Sequence, residues 1–381
     1  MIYLDNAGST KARKEVIKIV SEILENDYAN PDAIHGFGIE INKKIKKARK
    51  ITADFLSVDT KEIYFTSGGS EGNNVLIQGI VNANSRNKKH LITTKIEHSS
   101  VYEIFREYED RGFEVTYLNV DSYGRIDLKE LAESIRKETI LVSIIAVNSE
   151  VGIIQRLEEI GGIIKEQNSD VAFHTDFVQG FGHLKIDVKK SKIDALTVSG
   201  HKIHGPKGIG AVYLSSKITI KPLIFGSNQE SGVVQRTLNS SGIIGFGKAV
   251  EILQENFIKE NNYIKELKQF FIEEIAAEME DIRINSLLGE YFSPHIVNIS
   301  FRGVQGEVLV HFLGMNKIFI STGSACSSKK GNSRILENMG LSKEEVEGGV
   351  RVSLSIYNTK DEMVETIKVL KESVKAIRMM K

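Results

Sequence analysis

Several things are scarce in this chain. Its 381 residues include one cysteine and four prolines, and 50 Lys and Arg are matched by 50 Asp and Glu, so the formal net charge is zero. A lone cysteine, Cys326, excludes an intrachain disulfide framework. Balanced charge gives no reason for nucleic acid or an anionic membrane to be preferred over a neutral small molecule as partner. No apolar run approaches the length needed to cross a bilayer, and the opening MIYLDNAG lacks a basic stretch leading into a long apolar one. A reducing cytoplasm is the expected location. With no proline-rich linker, repeat or low-complexity tract, any two domains are expected to be joined by a helix rather than a tether.

The length allows two domains, or one large domain with an appendage. Through the first two thirds, short runs rich in β-branched residues alternate with helical periodicity, the pattern of parallel strands and crossover helices. Ile140–Val147, Val171–Phe173, Ala195–Val198 and Gly210–Leu214 read as strands. Asn148, Asp176 and Ser199 each fall just beyond such a run, where ligands bind in sheets of this kind. Val16, Ile19, Val20, Ile23 and Leu24 form one apolar stripe of a first helix. From about residue 247 the texture changes to a long charged helix through Glu251–Glu278, strands near Ile296–Ile299 and Ile318–Ile320, and a closing helix with the seam Met363, Ile367, Leu370, Val374, Ile377. The expected fold class is α/β, with a mostly parallel central sheet, flanking helices and a smaller α+β C-terminal domain. We divide it at residues 15–250 for the large domain, with 1–14 and 251–381 forming the small one.

The run SGHKIHGPKGIG makes Lys202 a candidate Schiff-base amine for pyridoxal phosphate (PLP). Ser199 and neighbouring small residues allow a phosphate to approach, and Asp176 would pair with the pyridinium nitrogen. Taken alone, Gly-His-Lys is common and a solvated lysine is the ordinary reading. Thr66–Asn74 runs from a strand into a helix through glycines and hydroxyls, which builds an anion site at a helix N-terminus, although ordinary tight turns look the same. His98, in Glu97-His98, could stack on a flat ring and move protons, or simply start a helix. Among His98, His174, His201 and His204 no pair has the spacing of a zinc site. Cys326 sits among small polar residues near Lys329 and Lys330, which would lower its thiol pKa and favour the nucleophilic thiolate. Arg351 enters a strand among apolar neighbours; its fork suits a substrate carboxylate, and an internal salt bridge to a nearby Glu suits it equally.

In order and spacing, these segments together resemble the cysteine desulfurases, members of the class V aminotransferase group with the type I PLP-enzyme fold. The resemblance covers Tyr3–Ala7, Asn30-Pro31 with His35, Thr66–Asn74, Glu97-His98, Val147–Gly152, His174–Asp176 with Gln179, the Lys202 run, Gly323–Cys326, and Arg351 through Thr359. It implies that Lys202 carries the cofactor and that Asp176 pairs with the ring nitrogen. Gln179 would meet the ring hydroxyl, while His98 would stack and transfer protons. Gly69, Ser70, Ser199 and His201 would hold the phosphate, with Asn148 beside the cofactor. Thr237 matches a position that reaches the phosphate across a homodimer interface, Arg351 the residue that binds the substrate carboxylate, and Cys326 the one that takes sulfur as a persulfide. L-cysteine and a sulfur acceptor or iron–sulfur scaffold protein are the implied partners. No resident metal is implied, only a transient iron–sulfur contact at Cys326. Selenocysteine lyase, an aminotransferase or a non-catalytic sulfur carrier are the alternatives on the same fold. The chain departs from the family at Val234-Gln235-Arg236-Thr237, where Arg-Ser-Gly-Thr is usual, and at Ser149, where asparagine is usual.

Overall fold

The structure is a computed structural model, described here for residues 1–86, 88–323 and 333–380. Among these residues a seven-stranded sheet runs in the order Ile63–Thr66, Gly210–Leu214, Ala195–Ser199, Ala172–Asp176, Thr139–Ser143, His90–Thr94, Glu114–Leu118. Every neighbouring pair is parallel except the two that involve Gly210–Leu214, so six strands point the same way. This is the expected mostly parallel sheet. Adjacent residues alternate between its two faces: Ile92, Val142, Phe173 and Leu196 join one apolar cluster, whereas Leu91, Leu141, Ala172 and Ala195 join another. A strand buried on both faces needs an unbroken apolar run, which is why these runs were visible without alternation.

Three expectations shift on inspection. The run Ile140–Val147 forms a ladder only as far as Ser143. Beyond it the chain bends, with Ile144 N and Ala146 N donating to His174 O and Asp176 O. In the first helix, Lys14–Asn26, Val16 and Ile23 are buried but Leu24 is exposed, because the neighbouring helices cover only one side. The long helix spans Ser240–Glu278 rather than starting near 251. Its first turns hold Gly245 and Gly247, where a Cβ would come within 2.5 Å of Val20 and Ala48. Close helix packing therefore uses residues of poor intrinsic propensity, and propensity alone hides the helix.

That helix passes from one core to the next. Ile243, Phe246, Ala249, Val250 and Leu253 belong to the large cluster under the sheet; Ile264, Leu267, Phe271, Ile272 and Ile275 belong to a second cluster with Leu4, the strands Ile296–Phe301 and Gly349–Ser353, and the closing helix Lys360–Met379. All five residues of the predicted seam in that helix are buried. Each such side chain contributes about 1.5–3 kcal/mol relative to an exposed position. The second sheet is antiparallel, in the order Gly349–Ser353, Ile296–Phe301, Ile282–Ile284.

Candidate active site

Five of the like-directed strands bring their last residues, or those just after, to one edge of the sheet. There, a cavity of about 270 Å³ is lined by Gly69, Ser70, His98, Asp176, Gln179, Ser199, His201, Lys202 and Arg351, together with Ala7, Gly8, Ile145 and Ser149. Nine of the predicted site residues thus converge from segments that are hundreds of positions apart.

At one end, the strand Ile63–Thr66 turns into the helix Gly69–Asn84 through Gly68, whose φ of +150° is closed to most L side chains. The turn aims the free N–H groups of the helix start at the cavity. Ser199 Oγ and Ser149 Oγ are buried and have no hydrogen-bond partner among the described residues. Buried hydroxyls without partners are costly, and an anionic or polar ligand in the cavity would satisfy them. Arg236, from the segment that departs from the family, pairs with Glu71 in the first helical turn at 3.0 Å.

The middle of the cavity is held by carboxylates. Asp176 accepts from Asn73 Nδ2 at 2.8 Å and from Val178 N at 3.0 Å. Asn73 also donates to Ser100 Oγ, which lies 2.8 Å from His98 Nδ1. Because Ser100 N donates to that same nitrogen, Nδ1 is an acceptor and the neutral imidazole carries its proton on Nε2. Burial holds His98 below the usual histidine range; Lys202 adds to the effect and Asp176 opposes it. Beside it, fully buried Glu97 is pushed up to about 8, mainly by desolvation, and accepts from Ile145 N and Thr94 Oγ1. A carboxyl group in that state is largely uncharged at neutral pH.

Lys202 follows the strand Ala195–Ser199. Its Nζ donates to Ala7 O and, at 2.9 Å, to Gly8 O. Burial first, and the positive charge of Arg351 second, lower its amine to about 8. His201 lies lower still, at about 4, for the same first reason, with its Nδ1 3.3 Å from Ser9 Oγ. Arg351 is 3% exposed; Nη2 is 2.6 Å from Asp5 Oδ1, Nη1 donates to Ser149 O at 2.8 Å, and Nε has no partner among the described residues. The ion pair foreseen as an alternative for Arg351 exists, with Asp5 rather than a glutamate.

Other predicted residues lie elsewhere. Asn148 turns its amide away from the cavity: Nδ2 donates to Ile96 O and Oδ1 accepts from Glu150 N and Val151 N, so its side chain shapes the turn while Ser149 lines the wall. Thr237 is exposed and outside the cavity. Cys326 lies outside the described residues, but the residues on either side of its segment are tied to the cavity rim. Ser321 pairs with the backbone of Arg351, Ser333 Oγ donates to Glu150, and Arg334 donates to Glu97 O. Among the described residues no three His, Cys, Asp or Glu side chains converge as a metal site, and no helix is long and apolar enough to cross a membrane. Asp5, Asn73 and Ser149 were not singled out for any role from the sequence. Asp5 and Asn73 stood inside quoted motifs, and only contact geometry gives them partners.

Comparison with known proteins agrees with this arrangement. The sequence profile described as Aminotransferase class-V matches residues 2–365. Cysteine desulfurase IscS of Methanosarcina thermophila is 40% identical over 380 residues, covering 100% of this chain and 93% of that protein. Cysteine desulfurase IscS of Clostridium botulinum strain Hall is 39% identical, covering 100% and 96%. Among solved structures, a NifS-like protein superposes with a TM-score of 0.93 at 33% identity, over 98% of this chain and 99% of that one. The structure of SspA in complex with cysteine gives 0.83 at 35%, over 94% and 100%. The fold is the type I fold of PLP enzymes, and the chain belongs to the class-V aminotransferase family.

Proposed function

We propose that this protein is a PLP-dependent cysteine desulfurase, which converts L-cysteine to alanine and holds the released sulfur on Cys326 as a persulfide. One observation carries the reading: a buried amine, Lys202, faces the same cavity as a buried arginine, Asp176 and, at a helix N-terminus, a Ser199 hydroxyl without a hydrogen-bond partner among the described residues. That set suits PLP, with the phosphate at Gly69, Ser70, Ser199 and His201, the ring nitrogen at Asp176 and the ring hydroxyl at Gln179. When bound, PLP would supply an electron sink for the substrate's α-carbon.

The side chains do the rest. An amine that titrates near 8 is partly neutral at physiological pH, so Lys202 can act as nucleophile and then as proton acceptor. His98 presents its Nε2 proton to the cavity. Arg351, steadied by Asp5, binds the substrate carboxylate through the donor capacity its ion pair leaves over. The Cys326 thiolate attacks the substrate sulfur as the Cβ–S bond breaks, the bonding pair stays with the carbon that is then protonated to give alanine, and the resulting persulfide passes to an acceptor, for which we propose an iron–sulfur scaffold or another thiolation protein. A cytoplasmic location agrees with a single catalytic thiol.

We also propose a homodimer. Ile34 is 95% exposed, Phe225 86% and Tyr28 77%. Gln229 lies 3.4 Å from Asp32, so the segments that carry these apolar groups adjoin each other, near Thr237. We propose that a second copy covers this face and that Thr237 reaches the partner's cavity there, as the family resemblance implies. We propose the division into residues 15–250 and 1–14 with 251–381: Val16 through Val250 feed the cluster beneath the sheet, which Leu253 also joins, while Leu4 and Ile264 through Ile377 feed the cluster of the smaller part.

Incubation with L-cysteine tests the reading by measuring alanine and protein-bound persulfide together. We predict both products for the wild type and neither for Lys202→Ala or Cys326→Ser. If Cys326→Ser still turns over its preferred amino acid at the wild-type rate, the protein is a lyase or aminotransferase instead.

A further inference from the structure

Behind Gln179 lies a buried polar relay that the reaction as described does not use. His295 precedes the strand Ile296–Phe301 and is buried, with its ring stacked on His183 at 3.7 Å between centroids. Its Nε2 is 3.2 Å from Gln179 Oε1, and its Nδ1 is 2.6 Å from Ser293 Oγ. Ala7 O only accepts and takes Gln179 Nε2 at 2.9 Å, which puts the amide oxygen on the His295 side, so the imidazole donates from Nε2. Nδ1 is then left to accept the Ser293 hydroxyl proton. Ser293 is itself fixed, since its N donates to Gly152 O at 2.7 Å and its O accepts from Lys268 Nζ at 2.8 Å. Burial holds His295 well below the usual histidine range, with His183, Lys268, Lys202 and Arg351 adding to the effect, so the neutral one-donor form persists.

This settles an ambiguity that an amide side chain otherwise keeps. Gln179 could turn over, exchanging oxygen and nitrogen at little steric cost. With His295 donating on one side and Ala7 O accepting from Gln179 Nε2 at 2.9 Å on the other, only one orientation pairs donors with acceptors. The second hydrogen on Nε2 is then left to face the cavity. We propose that His295 is a positioning residue for the reaction: through its Nε2 proton it locks the Gln179 amide so that a donor, not an acceptor, meets the cofactor's ring oxygen. The inference rests on the reading that PLP occupies this cavity.

A double-mutant cycle on the full-length protein tests it, reading PLP affinity and the visible absorbance of the bound cofactor. His295→Phe preserves a flat ring against His183 and removes the donor. His295→Gln loses the ring but places an amide N–H at similar reach. We expect His295→Phe to weaken PLP binding about fivefold, one neutral hydrogen bond's worth, and to shift the absorbance band. His295→Gln should restore both, and in a Gln179→Leu background His295→Phe should change neither. A purely packing role predicts the reverse ranking, with Phe harmless and Gln harmful; that result, or an equal effect of His295→Phe in both backgrounds, overturns the proposal. Should the Phe variant not fold, His295→Asn, whose amide is too short to reach, takes its place: loss with Asn but not with Gln supports the proposal, while equal loss with both, or an Asn effect that persists in the Gln179→Leu background, overturns it. Failure of the wild type itself to bind PLP would instead sink the desulfurase reading on which the inference stands.

Discussion

Arg351 and Asp5 illustrate how much a single residue owes to its partner. The guanidinium is almost wholly enclosed, while the Asp5 side chain keeps 29% of its exposure. Removing one member of a buried pair leaves the other charge uncompensated, a cost near 3–5 kcal/mol when both are enclosed; the partial exposure of Asp5 reduces it. We predict that Asp5→Ala destabilises the ligand-free protein by about 1–3 kcal/mol in urea unfolding. An unchanged midpoint would mean that the ion pair is ornamental. The sequence had already set Arg351 apart as a charge in an apolar strand, but its partner is 346 positions away, and no local pattern encodes that distance. Asn148 makes the complementary point. It stood after an apolar run like Asp176 and Ser199, yet an asparagine can also satisfy the N–H groups of its own turn, and here it does.

Among the elements, the helix Ser240–Glu278 carries a cation into the interior. Lys268 is 2% exposed, donates to Ser293 O, and has its amine lowered from 10.5 to about 7 by desolvation. Folding therefore releases a proton between those two values. In that window the unfolded chain binds the extra proton, so this group makes wild-type stability rise with pH from about 7 to about 10.5, by up to about 1.4 kcal/mol per pH unit. Below pH 7 the penalty is present in full. We predict that Lys268→Met is most favourable relative to wild type near pH 6 and loses that advantage as pH rises towards 10. Urea unfolding of the pair at several pH values gives the difference, and a flat difference would refute the buried-amine account. Periodicity revealed the charged C-terminal half of this helix. It concealed the glycine-rich beginning, because there close approach to Ala48 and Val20 decides the residue type.

For the whole molecule the question is what covers the apolar face around Tyr28, Ile34 and Phe225. Large apolar side chains left this exposed on adjoining segments suit an interface. We predict that the wild type sediments at twice its chain mass, and that Ile34→Asp combined with Phe225→Asp yields a monomer with weakened PLP retention, since Thr237 would no longer reach a neighbouring cavity. A monomeric wild type, or a monomeric variant that keeps its cofactor undiminished, would sink the shared-site arrangement. In the sequence this segment stands out both as a departure, Val234-Gln235-Arg236, and through Thr237, the position that the family resemblance assigns to the partner's phosphate. The structure gives Arg236 a local partner in Glu71, beside the helix start.

By itself the sequence determined what depends on short range: unbroken apolar runs for strands buried on both faces, a glycine-rich turn into a helix, an aspartate at the end of one apolar strand and a lysine just past another, and a solitary cysteine. Those features are set by the backbone and by burial within a few residues, so they can be read locally. Tertiary structure alone decided which of these groups share a cavity, that Asp5 steadies Arg351, that Ser149 replaces Asn148 at the wall, and that His295 stands behind Gln179. Each of those depends on contacts between distant segments. Hydrogen-bond direction, desolvation and charge pairing act through space, and no spacing along the chain encodes them.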